Sequence, residues 1–138
     1  GGQALLRQLA ATFNETLSSG LAGAAGVTII DMGPLFTDVA ATPSKYGIAN
    51  FTSFACDPAK IAAVTGGRVT DGSALFCNAS PASAFVAPLP NLNTLRTGAS
   101  ASTWFYADDV HPSIGGHKVI ADYVITQIKD LGWMPANQ

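Results

Sequence analysis

A chain of 138 residues is long enough for one domain and short for two, and seven Lys and Arg against nine Asp and Glu give a formal net charge of −2. No basic run is present to neutralise phosphates, so nucleic-acid binding is disfavoured as a function class. Hydrophobic residues make up 48% of the chain and charged residues 12%, against about 25% charged in an ordinary soluble domain. No apolar run reaches the roughly 20 residues that span a bilayer. Such a chain either buries much of its surface or leans on a partner.

The sequence begins Gly1-Gly2 and runs directly into a helical pattern, with no signal-peptide organisation, which reads as a truncation or cleavage point. Residues 3–19 predict a helix with Leu5, Leu9, Phe13 and Leu17 in one stripe, stopped by Gly20 and the Gly23–Gly26 stretch. Val27-Thr28-Ile29-Ile30, ending in Asp31, is apolar on both faces and suits a buried parallel strand. Helix, glycine loop and apolar strand together predict an α/β layered fold. A short helix is expected within residues 32–41. Beyond it, as far as about Thr103, the sequence is rich in Gly, Pro, Ser, Asn and Asp and predicts a long loop, which in a compact domain is functional or braced.

Cys56 and Cys77 lie within that loop-like region. Their spacing is not that of a CxxC redox motif, and without suitable histidines they make a poor zinc site. A disulfide is the favoured reading, worth about 3 kcal/mol by chain entropy and pointing to an oxidising compartment. Two buried thiols are the alternative. Asn14, Asn50 and Asn78 each open an Asn-x-Ser/Thr sequon, which matters only in a host that glycosylates.

Trp104-Phe105-Tyr106-Ala107 predicts a short strand, its aromatics serving packing more than substrate contact. It leads into Asp108-Asp109-Val110-His111-Pro112. A helix follows, with Pro112 in its first turn, Ile114, His117, Ile120, Ala121, Val124, Ile128 and Leu131 along its apolar face, and Gly132 at its end. The tail beyond is expected to pack only through Trp133.

His111 and His117 are the two histidines. A histidine base needs one ring nitrogen facing a nucleophile and the other held by an acceptor that fixes the tautomer. A tight turn brings Asp108, at i−3, onto His111, whereas Asp109 points away. The competing reading is a surface histidine beside two solvated acids at a helix start, where acids are favourable anyway. His117, on the apolar face, reads as a packed core histidine. A metal site from Asp108, His111 and His117 would need more ligands than the sequence offers.

The segment Ala107-Asp108-Asp109-Val110-His111-Pro112-Ser113, with Gly116-His117 and Ile120-Ala121-Asp122-Tyr123 after it, closely resembles the last block of the SGNH/GDSL hydrolases, an Asp-x-x-His-Pro-Thr/Ser segment opening the final helix. It is most similar to the bacterial secreted and autotransporter esterase, phospholipase and haemolysin branch. Pro43, Tyr46, Gly47, Ile48 and Asn50 resemble that branch's Pro-x-x-Tyr-Gly-Phe-x-Asn stretch, and Cys56 its following cysteine. Asn14 and Leu17 fall in the helix before the last parallel strand and Val27–Asp31 in that strand.

The resemblance implies a three-layer α/β/α flavodoxin-like fold. Residues 1–138 would be the C-terminal portion of one such domain: the last parallel strand, flanking helices and a long disulfide-braced loop. It also implies a secreted, cell-surface or periplasmic bacterial location, His111 as general base and Asp108 as its orienting acid, and no cofactor or metal.

The family's Gly-Asp-Ser block and the Gly and Asn of its oxyanion hole do not occur. Asp71-Gly72-Ser73 has the wrong order and reads as a turn. The serine and oxyanion hole are therefore expected on a separate or missing N-terminal chain, the partner in hydrolysis of an ester or acyl-lipid substrate. The Gly/Ala/Ser-rich middle region would form part of an acyl-binding wall. The alternatives are a catalytically silent fragment with the same scaffold, and a carbohydrate O-acetyl esterase.

Overall fold

In a computed structural model, residues 2–79 and 93–135 are described. The chain divides into an N-terminal unit ending at Asp31 and a second beginning at Met32. The N-terminal unit is one helix, α1 (Gly2–Leu21), followed by turns and a segment without regular secondary structure. The predicted stripe is present, but none of the helix is buried, and Leu5, Leu9 and Phe13 are largely exposed. The segment after α1 corrects the expected strand at Val27–Asp31: among the described residues, these join no sheet. Valine and isoleucine favour a strand only where a neighbour completes its hydrogen bonds.

The second unit is mixed helix and strand around a small parallel sheet, broadly α/β. In chain order it contains α2 (Gly33–Ala41), β1 (Asn50–Phe54), α3 (Pro58–Val64), β2 (Trp104–Tyr106) and α4 (Ile114–Asp130). Strands β1 and β2 pair in parallel, Asn50 with Trp104 and Phe54 with Tyr106, with an irregularity between the two pairs. The side-chain oxygen of Asn50 accepts the amides of Thr52 (3.1 Å) and Ser53 (2.8 Å) at that irregularity. The connection between parallel strands must cross over, and here it carries α3.

That connection is far from structureless. Asp57 caps α3 by accepting the amides of Ala59 and Lys60, with Pro58 in the first turn. The predicted disulfide between Cys56 and Cys77 is formed, across 5.7 Å between Cα atoms. Part of the Gly/Ala/Ser-rich region, residues 80–92, lies outside the described residues.

Phe105 is fully buried at the centre of the core, with Leu35, Val39, Ile48 and Val119 around it. Phe36, Phe51 and Tyr106 set their rings against it at centroid separations of 4.9–5.6 Å. Of the β2 aromatics, Phe105 and Tyr106 serve packing, as expected. Tyr46 closes α2 onto the short turn that follows it: its hydroxyl donates to Asp38, which also accepts from Lys45 and Thr42. These donors, Lys45 foremost, pull the Asp38 carboxyl down to about 2.

Helix α4 lies against β2 through Gly115, Gly116, Val119, Ile120 and Tyr123. This differs from the expected face: Ile114 and His117 are exposed. The cap is Ser113, whose hydroxyl accepts the Gly116 amide and donates to the Trp104 carbonyl, so Pro112 stands just outside the helix. Beyond Gly132, Trp133 is mostly exposed and does not anchor the tail, and residues 136–138 lie outside the described residues. Among the described residues, no helix is long and apolar enough to cross a membrane.

Candidate active site

Strand β2 ends in a turn that places the candidate residues. The amide of Ala107 donates to the carbonyl of His111 (2.8 Å), and the amide of Ser113 donates to the carbonyl of Phe105 (2.8 Å). The chain leaves the strand at Ala107, reverses and returns beside it at Pro112, opposite Tyr106. Residues 107–111 thus form a closed loop resting on the aromatic core.

Inside it, Asp108 makes the turn from its own side chain. Its Oδ1 accepts the amides of Val110 (3.0 Å) and His111 (2.8 Å), the local side-chain-to-backbone pattern that aspartate adopts at turns. Its Oδ2 accepts the amide of Ala74 (2.7 Å), from 34 residues away. Both carboxylate oxygens lie 2.9 Å from Nδ1 of His111.

The side chain of Asp108 is 8% exposed and that of His111 is 66% exposed. Burial alone would push the Asp108 carboxyl upward. The amides of Ala74, Val110 and His111 and the imidazole outweigh it and hold the group far below the ordinary aspartate value. The carboxylate is therefore an acceptor only, so Nδ1 carries the hydrogen and Nε2 is left as the basic nitrogen.

The depressed carboxyl has a consequence for stability. A group whose folded value lies below its unfolded one stabilises the native state above the unfolded value and loses that contribution as pH falls through the folded value. Native stability should therefore drop on acidification below the ordinary aspartate value of 3.8. Asp38 titrates in the same range, so the Asp108 share is the part lost in Asp108→Asn. Urea unfolding of both proteins between pH 2 and pH 6 measures it (about 1–3 kcal/mol for one buried charged acceptor). Equal slopes for the two proteins would refute the expectation.

The predicted pair is thus brought together. Asp109 is exposed and takes no part in it. The packed-core reading of His117 is corrected: it lies on the exposed side of α4 because the buried side is occupied by Gly116 and Val119. Asp71-Gly72-Ser73 is a turn, as expected, with the Ser73 amide donating to the Asp71 side chain. Among the described residues no three His, Cys, Asp or Glu converge as a metal site.

Sequence reasoning missed Ala74, which has no reactive side chain and reaches Asp108 only through its backbone N–H. A pocket of about 290 Å³ lies beside the pair, its wall including Ala74, Ala107, Pro112, Leu95, Ile114 and His117.

Comparison of the chain with family models, with curated proteins and with solved structures returned no match.

Proposed function

We propose that this chain supplies the histidine and aspartate of a Ser-His-Asp ester hydrolase of the SGNH type, with the serine and oxyanion hole contributed by another polypeptide. One observation carries the reading: a buried, multiply hydrogen-bonded carboxylate holds Nδ1 of an imidazole whose ring is otherwise open to solvent. A merely structural histidine needs no such arrangement. A general base does, because its second nitrogen must reach a nucleophile while the first keeps its proton. Further support comes from the Asp-x-x-His-Pro-Ser sequence and the Tyr46 and Asn50 stretch before it. The disulfide is consistent with an extracellular or periplasmic setting.

In this mechanism Nε2 of His111 takes the proton from the serine hydroxyl as its oxygen adds to the ester carbonyl. Asp108 holds the imidazolium that results. His111 then returns the proton to the departing alkoxide, leaving an acyl-serine. Water repeats the sequence and releases the acid. The oxyanion is stabilised by donors from the other polypeptide. The apolar pocket beside Pro112 is at the small end for ligand sites and suits a short acyl group.

A fluorophosphonate probe tests the proposal, because it labels only an activated serine. Labelling of a polypeptide associated with this chain, abolished by His111→Ala, is the expected result. No label on any associated protein would favour the second reading, a catalytically silent module, which the absence of a Gly-Asp-Ser block from these 138 residues already supports. Hydrolysis of short esters, long esters and acetylated glycans then separates esterase, lipase and O-acetyl esterase activities.

A further inference from the structure

Two of the three amides that Asp108 accepts belong to its own turn and would be present in any peptide folded this way. The third, from Ala74, is tertiary, and the protein must hold it in place. Ala74 opens a short 3-10 turn, Ala74–Phe76, capped by Ser73. Gly72 precedes it at φ +76°, and a Cβ there would meet Pro58 Cγ at 3.0 Å, so the entry to the turn is tight against the start of α3. Its exit is Cys77, bonded to Cys56. Cys56 in turn donates its amide to the carbonyl of Ala107 (2.9 Å), the residue before Asp108. The bridge therefore joins the segment that carries Ala74 to the strand edge that carries Asp108.

We propose that the Ser73–Cys77 turn, pinned by the Cys56–Cys77 bridge, is a positioning element for the Asp108–His111 pair, and that it acts through the Ala74 amide on the carboxylate. A carboxylate fixed by amides from two directions cannot rotate away from Nδ1. With the Ala74 amide gone, the two local donors grip Oδ1 and the only contact left on Oδ2 is the largely exposed His111 ring. Thr94 also grips the exit of the turn, accepting the Asn78 amide (2.7 Å) and donating to the Phe76 carbonyl (3.3 Å). The experiment must therefore show whether the bridge or Thr94 is decisive.

The sharpest variant is Ala74→Pro. It deletes one N–H at the first position of a helical turn, where proline's fixed φ fits. Ser73 before it has ψ 131°, away from the α region that a following proline disfavours. Ala74→Gly keeps the amide and serves as control.

NMR titration of the Asp108 carboxyl in Ala74→Pro should show it moved up by about one pH unit, a tenfold change in its acid constant. Reduction of the bridge by a phosphine should have the same effect, and Ala74→Gly should leave the group where it was. An unmoved carboxyl in Ala74→Pro, with the rest of the amide spectrum native, overturns the proposal. So does a reduced protein whose carboxyl is unmoved, which would leave Thr94 as the sufficient anchor, or one that unfolds throughout, which would make the bridge a general brace. Should Ala74→Pro not fold, the reduced protein decides. The inference rests on the catalytic reading only for its consequence: the titration requires no ester hydrolysis, so failure of the fluorophosphonate experiment leaves it intact.

Discussion

Under the proposed function, replacing His111 with alanine should lower ester hydrolysis by the associated pair of chains about 10⁶-fold and cost about 1 kcal/mol of stability, the value of one hydrogen bond to Asp108. The two halves of this expectation have separate causes. The activity falls because nothing else in the turn can accept the serine proton: the neighbouring acid is held as a carboxylate and is already engaged by three amides. The stability cost is small because the ring is mostly in solvent, three amides still hold the carboxylate, and the turn is closed by backbone groups of residue 111 that alanine retains.

Asp108→Asn separates the same two quantities differently. It should cost activity about 10⁴-fold, because a neutral amide neither fixes the productive tautomer reliably nor balances the imidazolium. It should also destabilise the fold, since one acceptor oxygen becomes a donor facing amide donors. Asp109→Asn should be silent on both counts. Activity and urea unfolding measured on the three variants check the assignment. A damaging Asp109→Asn beside a harmless Asp108→Asn would reverse the roles given to the two acids.

The largest expected effect on folding is Gly116→Ala. A Cβ at that position would stand 2.2 Å from the Phe105 carbonyl oxygen and 2.9 Å from Pro112 Cβ. Neither neighbour can yield easily. The Phe105 carbonyl accepts the Ser113 amide (2.8 Å), and its side chain is fully buried at the centre of the core. Overpacking a core that can adjust costs about 1–3 kcal/mol. Here the obstacle is backbone, so about 3 kcal/mol or more is expected, a large share of a small domain's stability. Gly115→Ala meets the Ser102 carbonyl oxygen at 2.4 Å and should behave likewise. Gly20→Ala, with open space around its Cβ in α1, should instead be neutral or mildly stabilising. Thermal unfolding followed by circular dichroism distinguishes them. A Gly116→Ala protein that melts with the parent would show that α4 can lift off β2 freely.

How much of this was readable in the amino acids depended on how local each feature is. The pairing of Asp108 with His111 was legible because the whole device fits within five residues, and an aspartate three before a histidine has few other places to put its side chain. The Ala107–Pro112 reversal and α4 followed from the same stretch. The buried face of α4 was not legible. Hydropathy weighs side chains, and two of the residues nearest β2 are glycines, which carry none. They matter for what they lack, and that becomes visible only with the Phe105 and Ser102 carbonyls in place.

Strand β1 was missed for a related reason. Asn50-Phe51-Thr52-Ser53-Phe54 has two apolar residues three apart, with no clean alternation, because the irregularity at Asn50 breaks the period. The Asp57-Pro58 cap of α3 is a local signal, but the helix it opens is only seven residues long, too short to show a periodic face. The strand expected at Val27–Asp31 shows the reverse error: local preference for extended structure does not by itself make a strand.

The closed turn at residues 107–111 also bears on how such a site could come to work. Because acid and base sit on one short loop sealed by its own amides, their mutual alignment is complete before any second polypeptide arrives. A docking serine then has a single relationship to satisfy, its distance and direction to Nε2, in place of three mutual orientations. Less freedom remains to be lost in the encounter. A hydrolase divided between two chains would therefore need little precision at its seam beyond one hydrogen bond's worth of placement. Cleavage of the backbone could be tolerated wherever it leaves the 107–111 turn intact and the Ser73–Cys77 turn tied to it through the Cys56–Cys77 bridge.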